Sequence, residues 1–145
     1  MLKALIVCAT RSGETRQIGE LIGEGFRIAG WEAAVKDVKH FKQPGDLDGY
    51  DAYVFGSATY HGDMMQVMKT FLFLAENANL HRKPGGAFGA FGWSGEAPYR
   101  IYDTMKHIFK MDMVDQPLRL KTSSIQEGGI KMTQDYGGKI AGKLG

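Results

Sequence analysis

Three short runs of apolar residues interrupt the sequence, and none of them alternates between apolar and polar positions. They are LKALIVCA at 2–9, AYVFG at 52–56 and GAFGAFGW at 86–93. Runs of this kind are typical of strands that are buried on both faces, as in a parallel sheet covered by helices. Two weaker strand candidates are WEAAVKDV at 31–38 and QPLRLK at 116–121. The chain therefore favours a sheet whose strands are mostly parallel.

Between these runs, apolar residues recur at spacings of three and four, which is the period of an amphipathic helix. The helical segments cover residues 18–29, 64–75 and 102–109 and, with a weaker period, 130–144. Strands that alternate with helices form right-handed crossovers and an open twisted sheet. Five strands fit the doubly wound order 2-1-3-4-5. We therefore expect residues 1–145 to form one α/β domain, with a five-stranded parallel sheet between two layers of helices.

Composition excludes several classes of function. Among the 145 residues, 43% are hydrophobic and 23% are charged, and the net charge of +2 is too small and too scattered for a nucleic-acid binder. No run of 18 apolar residues is present, so we expect no membrane span. The N-terminal apolar run lacks the cleavage pattern of a secretory signal. A single cysteine, Cys8, fits a reducing compartment and a buried packing position, so we expect a cytoplasmic protein.

Three polar, glycine-containing loops follow the strands that this order brings together. They cover residues 10–15, 57–63 and 93–99, after strands 1, 3 and 4. In a doubly wound sheet, ligands bind outside the carboxyl ends of the strands, where the strand order reverses. The three loops therefore predict one binding site at this edge.

The first loop has the composition of a phosphate cradle. Thr10, Ser12 and Thr15 supply three hydroxyl groups, and Gly13 permits a tight backbone path. A helix begins here, so free backbone N–H groups and the helix dipole favour an anion. The loop lacks both the Gly-Lys-Ser/Thr of nucleoside-triphosphate sites and the GxGxxG of dinucleotide folds. It therefore suits a single terminal phosphate held without a metal. Ordinary helix-capping chemistry explains this loop alone, but not its position beside two others.

The pattern Thr-x-Ser-Gly-x-Thr after the first strand resembles the phosphate loop of flavodoxins. Downstream, GSATYHGD at 56–63, GAFGWSGEA at 89–97 and QPLRLK at 116–121 are more similar to the flavodoxin domain of flavodiiron (A-type) flavoproteins. The resemblance covers essentially the whole chain, with the loops in the same order. It implies a flavodoxin-like three-layer sandwich that binds FMN. The phosphate is then expected on residues 10–15 and the isoalloxazine ring between the other two loops.

The resemblance assigns FMN contacts to all three loops. These residues are Thr10, Arg11, Ser12, Gly13, Glu14 and Thr15 in the first loop, Ser57, Ala58, Thr59, Tyr60, His61 and Gly62 in the second, and Gly92, Trp93, Ser94, Gly95, Glu96 and Tyr99 in the third. A flavin ring is flat and largely apolar with one polar edge. Aromatic side chains therefore suit its faces, and backbone groups at glycines suit its edge.

For several of these residues a second interpretation stays open. Tyr99 either covers the flavin or packs in the core. The hydroxyl groups of Ser57 and Thr59 hold either their own loop or polar atoms at the ring edge. Arg11 either touches phosphate or faces solvent. His61 is either a solvent-exposed loop residue or a titrating group close enough to tune a bound flavin.

The chain departs from the resemblance in three ways. Flavodoxins are usually strongly acidic, whereas this chain has a pI near 8.6. The insertion found in the last strand of long-chain flavodoxins is absent. The histidines His40, His61, His81 and His107 form no metal-binding pattern, so we expect no metal site and no diiron chemistry in this chain.

The expected function is that of an FMN-binding, low-potential electron carrier between redox partner proteins, with an iron-containing protein as one candidate partner. No nicotinamide fingerprint, nucleophile–base pair or pair of catalytic carboxylates is visible, so no catalytic residue is assigned. Two alternatives stay open. A small FMN-dependent NAD(P)H:quinone-type reductase is suggested by ATYHGDMM at 58–65. A non-redox regulator-like module is the other, although Cys8-Ala9-Thr10 lacks the acidic residues that a phospho-acceptor site requires.

Overall fold

The computed structural model describes residues 1–10, 13–60, 62–91, 95–121 and 128–144, with the backbone alone at Tyr60. The strands are β1 Lys3–Ala9, β2 Glu32–Asp37, β3 Ala52–Ser57, β4 Thr59–Tyr60, β5 Asp63–Met64, β6 Pro84–Phe91, β7 Asp112–Met113 and β8 Leu118–Lys121. The helices are α1 Glu14–Ile28, α2 Gln66–Ala75, α3 Ala97–Asp103 and α4 Ile130–Ala141, with a π-helical segment Thr104–Ile108 after α3 and short 3₁₀ turns at Val38–His40 and Pro44–Leu47.

The main sheet has the order β2-β1-β3-β6, and both β7 and β8 pair with β6. All of these pairings are parallel. The predicted order 2-1-3-4-5 is confirmed, with one refinement. Two short strands share the fifth position, because β7 pairs with the start of β6 and β8 with its end. The β7 strand was not predicted, since two residues are too few to leave a periodic pattern. In addition, β4 and β5 form a small antiparallel pair within the second loop.

Strand β1 is the centre of the fold. From Ala4 to Ala9 every residue is fully buried. Leu5 and Val7 belong to one apolar cluster, which contains the buried residues of α2 and α3. Ile6 and Cys8 belong to the other, which contains those of α1 and α4. Side chains on both faces of the strand are thus packed in an apolar core, which explains why its sequence does not alternate between apolar and polar residues.

The single cysteine lies within this buried strand. Cys8 is fully buried, and burial raises the pKa of its thiol to about 12. A thiol with so high a pKa stays protonated near neutral pH and is a poor nucleophile. The interpretation of Cys8 as a small buried apolar residue is therefore confirmed.

The helices match their predicted segments except near α3. This helix begins at Ala97, before the predicted segment 102–109, and Pro98 occupies its first turn. Proline is well tolerated there because the first N–H groups of a helix have no intrahelical acceptor. The apolar period of 102–109 falls largely on the π-helical Thr104–Ile108. Among the described residues, no helix combines the length and apolar character needed to cross a bilayer.

Helices α1 and α4 touch backbone to backbone, because glycines lie at their contact. A Cβ atom at Gly137 of α4 would overlap the carbonyl oxygen of Ile22, and one at Gly25 of α1 would overlap that of Gln134. The adjacent Gly138 differs, since no described atom lies within 4 Å of the position its Cβ would take. The close approach of the two helices therefore depends on Gly25 and Gly137.

These two neighbouring glycines give a matched test of helix packing. Gly137→Ala should lower the free energy of unfolding by about 1–3 kcal/mol, because the added methyl group forces the helices apart. Gly138→Ala should instead raise it by up to about 1 kcal/mol, because alanine has the higher helix propensity. Urea unfolding followed by circular dichroism measures both values. Equal effects of the two substitutions would contradict the close contact.

Candidate functional site

The three loops of the predicted site begin side by side at the carboxyl edge of the sheet. Ala9, which ends β1, is the register partner of Ser57, which ends β3. The N–H of Ala58 also donates to the carbonyl of Ala9 at 3.4 Å. The third loop leaves β6 after Phe91, on the other side of β3. The structure thus brings together the described parts of all three loops.

Part of the predicted site lies outside the described residues. This part comprises Arg11, Ser12, His61, Gly92, Trp93 and Ser94, together with the side chain of Tyr60.

The first loop presents a buried hydroxyl group without a partner. Gly13 adopts the left-handed conformation, with φ of 90°, and its N–H donates to Thr10 Oγ1 at 3.0 Å. Helix α1 follows at once, with Glu14 exposed. Thr15 is only 1% exposed, and its Oγ1 has no hydrogen-bond partner among the described residues. A buried polar atom without a partner costs about 1–3 kcal/mol. Beside the N–H groups of a helix N-terminus, Thr15 Oγ1 suits an anionic ligand.

The hydroxyl groups of the second loop hold the loops themselves. Ser57 is buried, and its hydroxyl donates to the carbonyl of Ala58 at 2.9 Å and accepts the N–H of Met65 at 3.1 Å. Thr59 Oγ1 accepts the N–H of Ala97 at 3.2 Å, across to the third loop. Of the two interpretations of Ser57 and Thr59, these contacts support the structural one.

The second and third loops also meet at Gly62 and Glu96. Gly62 has a φ of 76°, and a Cβ atom there would lie 3.7 Å from Glu96 Oε2. This oxygen is buried and has no hydrogen-bond partner among the described residues. Among the described residues of the site, the Thr15 hydroxyl and this oxygen are thus two buried polar atoms without a partner. The carboxylate of Glu96 thus lies close to the backbone of the second loop at Gly62.

Tyr99 and Arg119 form a contact that the sequence did not indicate. Tyr99 is 46% exposed, which excludes the interpretation as a core residue. The guanidinium carbon of Arg119, on β8, lies 5.1 Å from the centre of the Tyr99 ring and 5.0 Å from that of Phe91. Burial alternates along β8, with Arg119 exposed, but this alternation does not indicate which residues Arg119 contacts. Only the tertiary structure brings the two segments together.

The acidic residue of the second loop is electrostatically compensated. Asp63 forms ion pairs with Lys69 and, at 3.6 Å, with Arg100, and its Oδ1 accepts the N–H of Met64 at 2.7 Å. The hydrogen bond from Lys69 is the main reason why the pKa of the Asp63 carboxyl lies below its usual value. Asp63 therefore contributes little net negative charge to the site.

Comparisons with known proteins agree with this arrangement. A family model for the flavodoxin domain matches residues 5–134. The structure of a flavodoxin from the domain Archaea is similar to this chain over 99% of each chain, at 30% identity and a TM-score of 0.91.

Two curated relatives are longer proteins. An NAD(P)H dehydrogenase (quinone) of Archaeoglobus fulgidus is 28% identical over 123 residues, which cover 68% of this chain and 64% of the relative. A type A flavoprotein of Rhodobacter capsulatus is 26% identical over 150 aligned positions, which cover 94% of this chain and 34% of the relative. This chain thus spans less than two thirds of either protein.

The ion pairs of Asp63 make stability depend on pH. Because the folded-state pKa lies below the ordinary value of 3.8, the paired carboxylate stabilises the fold above that pH, and this stabilisation is lost as pH falls through the folded-state pKa. Asp63→Asn should lower the free energy of unfolding by up to about 1 kcal/mol at pH 7, with the difference closing at an acid pH below the folded-state pKa. Urea unfolding at both pH values measures this difference.

Asp135→Asn is the matched control, because Asp135 pairs with Lys131 at 3.5 Å on an exposed helix surface. Its effect should stay within about 0.5 kcal/mol at either pH. A loss in Asp63→Asn that persists unchanged in acid would contradict the role of the ionised carboxylate.

Proposed function

Because the chain belongs to the flavodoxin domain family, we propose that it holds FMN at the carboxyl edge of its sheet and passes electrons between redox partner proteins. Membership of the flavodoxin domain family and the similarity to an archaeal flavodoxin support this proposal. The placement of FMN on particular residues, and the treatment of residues 1–145 as one FMN-binding domain, are proposals.

The observation that carries the placement is the unpartnered hydroxyl of Thr15. Thr15 lies two residues after Gly13, in the first turn of α1, where backbone N–H groups and the helix dipole favour an anion. A monoester phosphate offers oxygen acceptors for this hydroxyl and for the N–H groups, and it requires no metal. The residues present therefore fit the phosphate of FMN.

The other two loops supply the surroundings of the ring. When bound, FMN supplies one-electron and two-electron redox chemistry, which belongs to the cofactor. Ser57 and Thr59 fix the path of the second loop, so that backbone groups near Gly62 are held in place for a polar ring edge. Tyr99 offers an exposed aromatic face. We propose that these loops hold the ring and limit the access of water to it.

The proposal includes seven more predicted contacts to FMN, whose side chains lie outside the described residues. They are Arg11, Ser12, Tyr60, His61, Gly92, Trp93 and Ser94. We assign no catalytic residue and no metal ligand. The redox properties then depend on the groups that surround the ring.

Glu96 supports the proposal of a low potential. Its Oε2 has no hydrogen-bond partner among the described residues, whereas the carboxylate of Asp63 is paired with two cations. A carboxylate beside the second loop disfavours further negative charge nearby. Reduction of a bound flavin adds such charge. Glu96 therefore favours the oxidised state of the cofactor.

The redox partner and the cellular location of this protein are further proposals. We propose an iron-containing protein as one redox partner, on the resemblance of the second and third loops to those of flavodiiron proteins. We propose a cytoplasmic location on the single cysteine, which is buried and unpaired. The quinone-reductase alternative is favoured by the Archaeoglobus relative of that name.

An anaerobic titration separates the carrier from the reductase. For a carrier, we expect reduction of the FMN-loaded protein by dithionite to proceed in two separable one-electron steps, with no bleaching by NADH or NADPH. For a reductase, we expect NAD(P)H to bleach the flavin directly and a quinone to restore it. Absorbance spectra across the flavin bands measure both reactions. Rapid bleaching by NAD(P)H followed by quinone-dependent turnover would contradict the proposed carrier function.

Replacement of the Thr15 hydroxyl tests the phosphate site. Thr15→Val should weaken FMN binding about tenfold, since a hydrogen bond to a charged group contributes about 1.5–3 kcal/mol. Riboflavin, which lacks the phosphate, should bind more weakly than FMN and should be unaffected by the substitution. The stability of the FMN-free protein should not fall, because the lost hydroxyl has no partner in the described part of the chain. Fluorescence titration and urea unfolding measure these quantities.

Thr133→Val is the matched control. Thr133 is also buried, but its hydroxyl donates at 2.6 Å to the carbonyl of Gly129, which directly precedes α4. This variant should lose about 1 kcal/mol of stability and keep its FMN affinity. Unchanged discrimination between FMN and riboflavin in Thr15→Val would remove Thr15 from the phosphate site.

A further inference from the structure

Arg119 is held against the third loop from three sides. Its guanidinium carbon lies about equally far from the ring centres of Phe91 and Tyr99, at 5.0 and 5.1 Å. On the third side is Gly95, where a Cβ atom would come within 2.7 Å of Arg119 Nε and 2.8 Å of Nη2. The guanidinium thus lies directly against the backbone of the third loop at Gly95, and a side chain at this position would displace Arg119.

The charge of Arg119 also differs from that of its neighbours. Lys69 and Arg100 both pair with Asp63, so the three charges largely compensate one another. In the described part of the chain, Arg119 has aromatic rings as neighbours but no ion pair. An aromatic face attracts a cation without cancelling its charge. Arg119 therefore places a full positive charge at the outer side of the third loop.

We propose that Arg119 is a positioning residue for the bound flavin: it fixes the ring of Tyr99 and sets a positive charge beside the cofactor. This inference rests on the proposed function and on the placement of the isoalloxazine ring at the third loop. A planar guanidinium over the Tyr99 ring, 5.1 Å from its centre, restricts the rotation of that side chain. Its charge favours reduced FMN over oxidised FMN, because reduced FMN carries additional negative charge near neutral pH.

The two effects are separable by substitution. Arg119→Met removes the charge and keeps much of the length of the side chain, whereas Arg119→Lys keeps the charge and removes the planar group. Lys121→Gln is the matched control, since Lys121 is exposed two positions along the same strand and also carries a positive charge. Because Arg119 is exposed on a short outer strand, all three variants are expected to fold, and thermal unfolding checks this.

The experiment measures the affinity of each variant for oxidised FMN, by fluorescence titration, and the midpoint potentials of the complex. Together these give the affinity for reduced FMN. The preference for reduced over oxidised FMN should fall about fivefold in Arg119→Met, a solvent-screened charge effect. It should return to within about twofold of the wild-type value in Arg119→Lys, and Lys121→Gln should change it by less than about twofold.

A double-mutant cycle tests the action through Tyr99. If Arg119 positions this ring, Arg119→Met should weaken the binding of oxidised FMN. This loss of affinity should largely disappear when the same substitution is made in a Tyr99→Leu background. Additive losses would overturn the positioning role. Tighter binding of FMN by Arg119→Met would also overturn it, because Arg119 would then compete with the flavin for the Tyr99 face.

The control separates position from net charge. An equal loss of preference in Lys121→Gln would mean that only net charge matters, and the inference would fail. Failure of the wild-type protein to bind FMN would contradict the proposed function itself. Wild-type binding of FMN together with unchanged Arg119 variants would contradict this inference alone.

Discussion

The complete burial of β1 between two helical layers is the constraint on which the rest of the structure depends. Its alternate residues face opposite cores, so Leu5 and Val7 pack with the α2–α3 layer and Ile6 and Cys8 with the α1–α4 layer. A shift of one residue would exchange the two sets. The register with β2 and β3 is therefore strongly specified, and with it the place where the chain leaves the sheet toward the first loop.

The polar groups at that edge fall into two sets. One set closes the loops on one another: Ser57 binds within the second loop, and Thr59 binds the first turn of α3. The other set has no partner among the described residues and comprises Thr15 Oγ1 and Glu96 Oε2. The first set fixes the second and third loops and so holds Glu96, and helix α1 holds Thr15, without any ligand. Such preorganisation lowers the cost of ordering the site on binding.

The charge around the site depends on local ion pairs more than on the net charge of the chain. The chain is basic, with a pI near 8.6, yet Lys69 and Arg100 are largely compensated by Asp63. At the third loop, the described residues include the carboxylate of Glu96, near Gly62, and the guanidinium of Arg119, against Gly95 and Tyr99. Their opposite influence on a reduced cofactor would make the potential depend on a balance of two local charges.

The sequence by itself determined the features that depend on neighbours along the chain. Three apolar runs marked β1, β3 and β6, two weaker candidates marked β2 and β8, and helical periods marked most of the helices. The hydroxyl groups of the first loop gave the prediction of an anion site before α1. The handedness of crossovers then restricted the strand order. Tertiary structure decided the features that depend on distant segments. These are the occupation of the fifth strand position by both β7 and β8, the ion pair of Asp63 with Arg100, and the contacts of Arg119 with Gly95 and Tyr99. These contacts join segments with no common period, and they arise only once packing of the helices on the sheet has brought the segments within reach of one another.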